Sequence, residues 1–247
     1  MLTENRHAFI ISQLEKKDTL TVQELVEQLQ HSESTIRRDL TMLEDQNKLV
    51  RIHGGATKKR QAVDEPTMDE KTVKYSQEKE KISQLAASLI EDFELIFLDA
   101  GTTTYAMIPY LEGKKITVIT NGVPHAALLT DYHIDTVLVG GKIKQRTKAV
   151  IGSMAERQLD VFNFTKAYLG MNGISTAQGY TTPDIEEAAI KRKAVSQSNQ
   201  SYVLADLSKL GEVSFVKVAD IEDCTVITTK LPEGQEELKD YTRVMEA

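Results

Sequence analysis

The chain has 247 residues, of which 30 are Lys or Arg and 37 are Asp or Glu, for a formal charge of −7, with 40% hydrophobic residues and no tryptophan. At a typical domain size of about 150 residues this is roughly 1.6 domains, enough for one good-sized core and a small module, and the composition excludes a disordered chain. The longest apolar runs, such as Leu95–Leu98 and Thr136–Val139, fall far short of the ~20 residues of a membrane helix. Met1–Arg6 opens without a signal-peptide core, so a cytoplasmic protein with no membrane partner is expected. Cys224 is the sole cysteine, which excludes an internal disulfide and a cysteine-rich metal site; neither a metal nor a cofactor is expected.

The charge is unevenly placed. Residues 1–60 hold 10 basic and 9 acidic side chains, whereas residues 61–247 hold 20 basic and 28 acidic ones. Lys48 to Arg60 carries no carboxylate, so a local positive field survives the acidic average. These shifts place a first domain at 1–57, a Pro66-containing linker at 58–75 and a second domain at 76–247.

Ile10 and Leu14 set an apolar stripe at helical spacing from about Glu4 to Lys16. Thr21 and Glu24 form a capping-box pair opening a second helix, whose buried face is Val22, Leu25, Val26 and Leu29. Ser32 is a third N-cap, followed by Ile36, Leu40 and Leu43 at core spacing, with Ser34, Thr35, Arg37, Arg38 and Thr41 on the opposite face. Two arginines early in a short helix, closely joined to the preceding helix, suit a helix-turn-helix entering a major groove, where Arg reads guanine or clamps phosphate. Leu49–Ile52 then reads as a strand running through His53 into a Gly54–Gly55 turn, the outline of a wing carrying Arg51 and His53. On the dipeptide alone, Arg37 and Arg38 are equally well a solvated face paired with Glu33 or Asp39.

Arg6, Ile10, Leu14, Ser32 and the run Thr35–Ile36–Arg37–Arg38–Asp39–Leu40 resemble the N-terminal signature of the DeoR family of bacterial transcriptional repressors, and His53–Gly54–Gly55–Ala56 resembles its wing. The resemblance implies winged-helix binding to double-stranded operator DNA and a C-terminal domain that senses a sugar phosphate.

From Ser76 the pattern alternates between helix and strand. Strand-like runs are Leu95–Leu98, Ile116–Thr120, Thr136–Val139, Lys166–Leu169, Tyr202–Ala205 and Thr225–Thr228, with helical patterns at Thr104–Leu111, Pro124–Thr130 and Ile185–Gln197. Such alternation predicts an α/β domain with a largely parallel sheet and a ligand site at the carboxyl ends of its strands. Asp99, Gly101, Thr102, Thr103 and Thr104 follow a buried strand and suit a phosphate, although the threonines serve equally as helix caps; a nucleotide P-loop is excluded by the missing Gly-Lys-Thr ending. Thr120, Asn121, Gly141 and Lys142 lie at two further strand ends, where ordinary turn chemistry is the competing account. Lys209 is a candidate phosphate partner, and Glu187 is the one member of an acidic helix picked out from a solvated face.

The second domain also resembles the DeoR effector domain over roughly residues 78–227, and through it the ribose-5-phosphate isomerase/CoA-transferase fold group. In the isomerases an Asp-Gly-Ala-Asp-like segment supplies catalytic acids; the segment that looks equivalent, Met171–Ser175, has neither aspartate. Binding without catalysis is therefore implied, against the alternative of an isomerase-like enzyme with an accessory DNA-binding domain. The whole chain resembles most the fructose-operon repressors of low-GC Gram-positive bacteria, implying fructose 1-phosphate as effector, with tagatose 6-phosphate and other sugar phosphates as alternatives. A homo-oligomer, dimer or tetramer, is expected because one winged helix gives a small interface.

Overall fold

The computed structural model describes residues 3–17, 19–46, 48–52, 54–58 and 67–247, and the chain divides into two compact units, 1–64 and 65–247.

In the first unit the order is α1 (Thr3–Lys16), β1 (Thr19–Thr21), α2 (Val22–Leu29), α3 (Glu33–Asp45), β2 (Leu49–Ile52) and β3 (Gly55–Lys58). Thr21 and Glu24 cap α2 reciprocally: the Glu24 N–H donates to Thr21 Oγ1 at 3.1 Å and the Thr21 N–H to Glu24 Oε2 at 2.8 Å. Gln30 ends α2 in the left-handed region, and Ser32 caps α3 only two residues later. Ile10, Leu14, Leu20, Leu25, Ile36, Leu40 and Leu43 meet in one buried cluster, each contributing about 1.5–3 kcal/mol by leaving water. The predicted wing hairpin forms, and β1, which periodicity does not announce, joins it in the order β1-β3-β2. Gly55 allows that crossing, since a Cβ there would lie 2.2 Å from the Leu20 carbonyl oxygen.

The second unit begins with a correction. Residues 58–75 read as linker, yet Met68–Val73 form a helix, α4, capped by Thr67 and Glu70, with Met68 buried. The capping box, Thr67 with Glu70, gives a short helix to part of the stretch that the charged composition and Pro66 mark as a linker. Then come α5 (Ser76–Ser88), β4 (Leu95–Leu98), α6 (Thr102–Met107), β5 (Thr117–Thr120), α7 (Val123–Asp131), β6 (Asp135–Leu138), β7 (Lys142–Ile143), β8 (Val150–Ile151), α8 (Ser153–Leu159) and β9 (Phe164–Gly170). The remainder is β10 (Gly173–Ser175), β11 (Gly179–Thr182), α9 (Ile185–Ser196), β12 (Ser198–Leu204), β13 (Val216–Ala219), β14 (Thr225–Thr228), α10 (Leu238–Tyr241) and β15 (Val244–Glu246).

Seven strands form one sheet in the order β15-β14-β12-β9-β4-β5-β6, and every pairing in it is parallel. Side chains alternate across it: Ile96 and Leu98 pack with Ile82 and Ala86 of α5, while Phe97 packs on the other face with Ala188 and Ile190 of α9. Burial on both faces explains why the inner strands, such as β4, read as continuous apolar runs, whereas the edge strand β6 is largely exposed. The chain builds β4, β5 and β6 outward in one direction, then returns to lay β9 on the opposite side of β4. The topological switch point lies between β4 and β9, and it is at the carboxyl ends of such strands that open parallel sheets hold ligands in a crevice.

Candidate DNA-binding and effector sites

On α3 the residues expected to face DNA are outward. Ser34, Arg37 and Arg38 are exposed and Thr35 and Thr41 half-buried, while Ile36, Leu40 and Leu43 anchor the other face. Arg37 donates through Nε and a terminal nitrogen to Glu33 Oε1 at 2.9 and 2.6 Å, so one of the two competing pairings is made. Arg38 has no ion pair among the described residues. Asp39, the other pairing candidate, turns inward to meet Arg6 and His7. Ser34 and Thr35 hydroxyls bond the Ser32 hydroxyl at the helix start. Arg51 donates to Thr41 Oγ1 at 2.8 Å, which holds the strand arginine against α3. His53 lies outside the described residues.

In the second unit the carboxyl ends of β4, β5 and β9 converge. Asp99 is 1% exposed; its Oδ2 accepts from the Gly170 N–H at 3.0 Å and ion-pairs with Lys191, whose ammonium also donates to the Gly170 carbonyl at 2.9 Å. Lys191, itself buried on α9, is therefore a cation at the carboxyl ends of β4 and β9, which the sequence places on a helix with Asp184, Glu186 and Glu187 but not among the candidate site residues. Its signal was present: Glu187 and Lys191 stand four apart and share a helix face.

The threonine loop divides between support and access. Thr104 Oγ1 accepts the Gly101 N–H at 3.0 Å and donates to backbone carbonyls of the loop, so it caps α6. Ser83 Oγ donates to the Thr103 carbonyl at 2.8 Å. Thr102 lines a cavity of about 260 Å³ with Lys79, Tyr105 and Thr72. Lys79 is 5% exposed and donates to the Lys71 carbonyl; burial lowers its pKa, Asp206 opposes that shift and Lys209 adds to it. Lys209, half-buried beyond the end of β12, thus acts on Lys79 together with Lys71, opposed by Asp206 and Glu78; sequence reasoning missed Lys79, and a lysine three residues before Ile82 at the start of α5 was the available clue.

Thr120 and Asn121 are also engaged by the protein. Thr120 Oγ1 donates to the Leu98 carbonyl at 2.7 Å, and Asn121 accepts the Ala100 N–H at 3.0 Å while donating to the Val150 carbonyl at 3.3 Å. These two shape the mouth by holding one strand end to the next. Beneath them His125 is fully buried, with Nε2 3.0 Å from the Gly101 carbonyl oxygen. A carbonyl only accepts, so Nε2 carries the proton, and Nδ1 is left without a partner. Burial pushes the His125 pKa down to about 4.

Gly141 and Lys142 stand on the β7–β8 hairpin rather than inside the crevice. A Cβ on Gly141 would come 2.9 Å from the Ile151 carbonyl oxygen, and Lys142 is an exposed cation 3.2 Å from Glu186. Glu187 is buried, accepting from Thr147 Oγ1 at 2.8 Å and pairing with Lys144 at 3.1 Å. The alternating Lys142, Lys144, Arg146 and Lys148 form a cation row that could have been read from the sequence. Burial also raises the Cys224 pKa to about 12, so this thiol stays protonated. Among the described residues no cluster of His, Cys, Asp or Glu could hold a metal ion, and no helix is long and apolar enough to cross a membrane.

Residues 6–62 match the DeoR-like helix-turn-helix domain and residues 74–230 the DeoR C-terminal sensor domain. The chain belongs to the DeoR family. This DeoR-family chain is 48% identical over 234 residues to the uncharacterised transcriptional regulator FruR of Bacillus subtilis, covering 94% of this chain and 93% of that one. It is 37% identical to the transcriptional repressor GlcR of the same organism, over 94% and 90% of the two chains. It is 32% identical to the lactose phosphotransferase system repressor of Staphylococcus epidermidis, over 93% and 94%. These relatives are named regulators and repressors, not enzymes. Among solved structures it is similar to ribose 5-phosphate isomerase A from Neisseria gonorrhoeae, at 19% identity and a TM-score of 0.41 over 53% of this chain and 52% of that one.

Proposed function

We propose that this DeoR-family regulator represses a sugar-utilisation operon, binding operator DNA through α3 and the wing and leaving it when a phosphorylated sugar, fructose 1-phosphate, enters the crevice of the second unit. The observation that carries the reading is the pair of buried cations, Lys191 and Lys79, set at the carboxyl ends of a parallel sheet beside Thr102. Lys191 is balanced by Asp99, and burial lowers the Lys79 pKa, so a phosphate ester would add a second acceptor for the first and a counter-charge for the second. Asp99, Gly101, Thr102, Thr103 and Lys209 would contact the ligand, with Thr104, Thr120, Asn121, Gly141, Lys142 and Glu187 shaping the mouth. On the DNA side Ser34, Thr35, Arg37, Arg38, Arg51 and His53 form the reading surface. The names of the relatives, FruR, GlcR and lactose phosphotransferase system repressor, support a sugar-related operon. Binding paired half-sites needs two copies, so the active form is a homo-oligomer.

The test is operator binding of purified protein at fixed salt, titrated in parallel with fructose 1-phosphate, fructose 6-phosphate and tagatose 6-phosphate. Release by fructose 1-phosphate alone is the expected result; release by tagatose 6-phosphate alone reassigns the sugar, and indifference to all three overturns the effector reading.

A further inference from the structure

The β7–β8 hairpin touches three separate elements. Its loop, residues 144–149, is closed by the Lys144 N–H to the Ala149 carbonyl at 2.8 Å and the Lys148 N–H to the Lys144 carbonyl at 2.9 Å. Toward α9, Lys144 lies 3.1 Å from both Asp184 and Glu187, and the buried Thr147 hydroxyl donates to the same Glu187 carboxylate. Glu187 sits one helical turn before Lys191, whose partner is Asp99 in the crevice. Toward β5, the Val150 N–H donates to the Asn121 carbonyl at 2.6 Å. Toward α4, the Arg146 carbonyl accepts the Met68 N–H at 3.1 Å, and the Arg146 charge faces Glu70.

α4 is the first element of the second unit in chain order. It packs on α6, and its Thr72 lines the cavity that Thr102 lines. One short hairpin is thus bonded to the crevice at one side and to the first helix after the DNA-binding unit at the other.

We propose that the β7–β8 hairpin relays ligand occupancy to the DNA-binding unit, an inference that rests on the effector reading above. An anion entering the crevice competes with Glu187 for Lys144 and with Asp99 for Lys191. Glu187, rebalanced, loosens Thr147, and the Arg146 carbonyl moves under the start of α4, the first helix of the second unit. No covalent step is involved; the ligand works by binding one arrangement of these pairs better than the other. By reciprocity, operator DNA weakens ligand binding by the same factor.

A single backbone bond gives a clean test. Met68 is the first residue of α4, a position where proline is favoured because its missing N–H is not used within the helix. Thr67 before it has ψ 161°, which suits a residue preceding proline. Met68→Pro therefore deletes the N–H that meets Arg146, while Met68→Ala controls for the lost side chain and Thr147→Val cuts the relay at its other end. With full-length protein, operator affinity is measured with and without saturating fructose 1-phosphate, and ligand affinity by calorimetry. Wild type and Met68→Ala should show a coupling factor of about 5–150-fold. Met68→Pro and Thr147→Val should still bind both DNA and fructose 1-phosphate, with the factor falling below ~2. If either variant binds the ligand and keeps the wild-type factor, the relay is overturned while the effector reading stands. If wild type binds operator but answers to no sugar phosphate, the effector reading falls and the relay falls with it.

Discussion

Arg6 and Asp39, 33 residues apart in sequence, form a buried two-point ion pair, with guanidinium nitrogens 2.7 and 3.0 Å from the two carboxylate oxygens. The pair fixes α1 to the helix that presents Arg37 and Arg38, and His7 Nε2 adds a contact at 3.1 Å. Burial alone would raise the Asp39 carboxyl pKa, but the hydrogen bonds from Arg6 and His7 outweigh it and hold the group below the usual carboxylate range.

Asp39→Ala leaves Arg6 buried without its partner and should cost about 3–5 kcal/mol of stability in the first unit. Because the folded-state value is depressed, the contribution of Asp39 is present above its unfolded value of about 4 and lost as pH falls through the lower folded value. Thermal unfolding from pH 7 to pH 3 should show wild type approaching the variant at the acid end. A constant gap across that range would mean that the ion pair is not the source.

Arg38→Ala should weaken operator binding by about 1–3 kcal/mol, measured by fluorescence anisotropy at fixed salt. Arg37→Ala should cost less, because Arg37 gives up an exposed i,i+4 pair with Glu33 worth about 0.3–0.5 kcal/mol to reach DNA. Glu33→Ala should then tighten binding slightly. Equal losses for the two arginines would show that the pairing does not distinguish them.

Lys191→Met should destabilise the second unit by about 3–5 kcal/mol by leaving Asp99 buried and unpaired. The double variant Lys191→Met, Asp99→Leu should recover much of that stability without recovering the ligand response. Calorimetric unfolding together with operator release by fructose 1-phosphate separates the two effects. A ligand response retained in the double variant would remove the pair from the site.

His125 makes the second unit sensitive to mild acid. Its pKa is pushed down to about 4 by burial, so the unfolded chain takes up a proton near pH 6.5 that the folded protein refuses. Stability is complete above about pH 6.5 and declines as pH falls toward 4, a loss on the order of 3 kcal/mol. Melting temperatures between pH 7.5 and 4 should fall in wild type and flatten in His125→Asn. Gly122→Ala should perturb the same position, since a Cβ there would come 2.3 Å from His125 Nδ1.

Local interactions carried most of what the sequence revealed about architecture. The capping box of Thr21 and Glu24, the N-cap at Ser32 and the stripe Ile36–Leu40–Leu43 act within one or two turns, and the wing follows from Gly54, at φ 83°, and Gly55. The six strand-like apolar runs all fall in the parallel sheet; for the inner strands burial on both faces leaves a signal that needs no partner strand to be recognised, while Thr136–Val139 on the exposed edge strand β6 is read from its β-branched residues. Short strands such as β1, β7 and β8 were not legible, since their pairing depends on residues supplied elsewhere in the fold.

That this protein joins a DNA-reading helix to an α/β sensor is written in local quantities, spacing, capping and hydrophobic period, and these carry the family signature with them. Which polar residues share a site is set by long-range packing. Asp99 and Lys191 are 92 positions apart, and Met68 and Arg146 meet through backbone atoms that every residue possesses, so no residue type announces either contact. It also decided which candidates are already occupied: Thr104, Thr120 and Asn121 spend their hydrogen bonds on the loop, because a buried polar group left unpaired would cost more than the ligand contact it might offer.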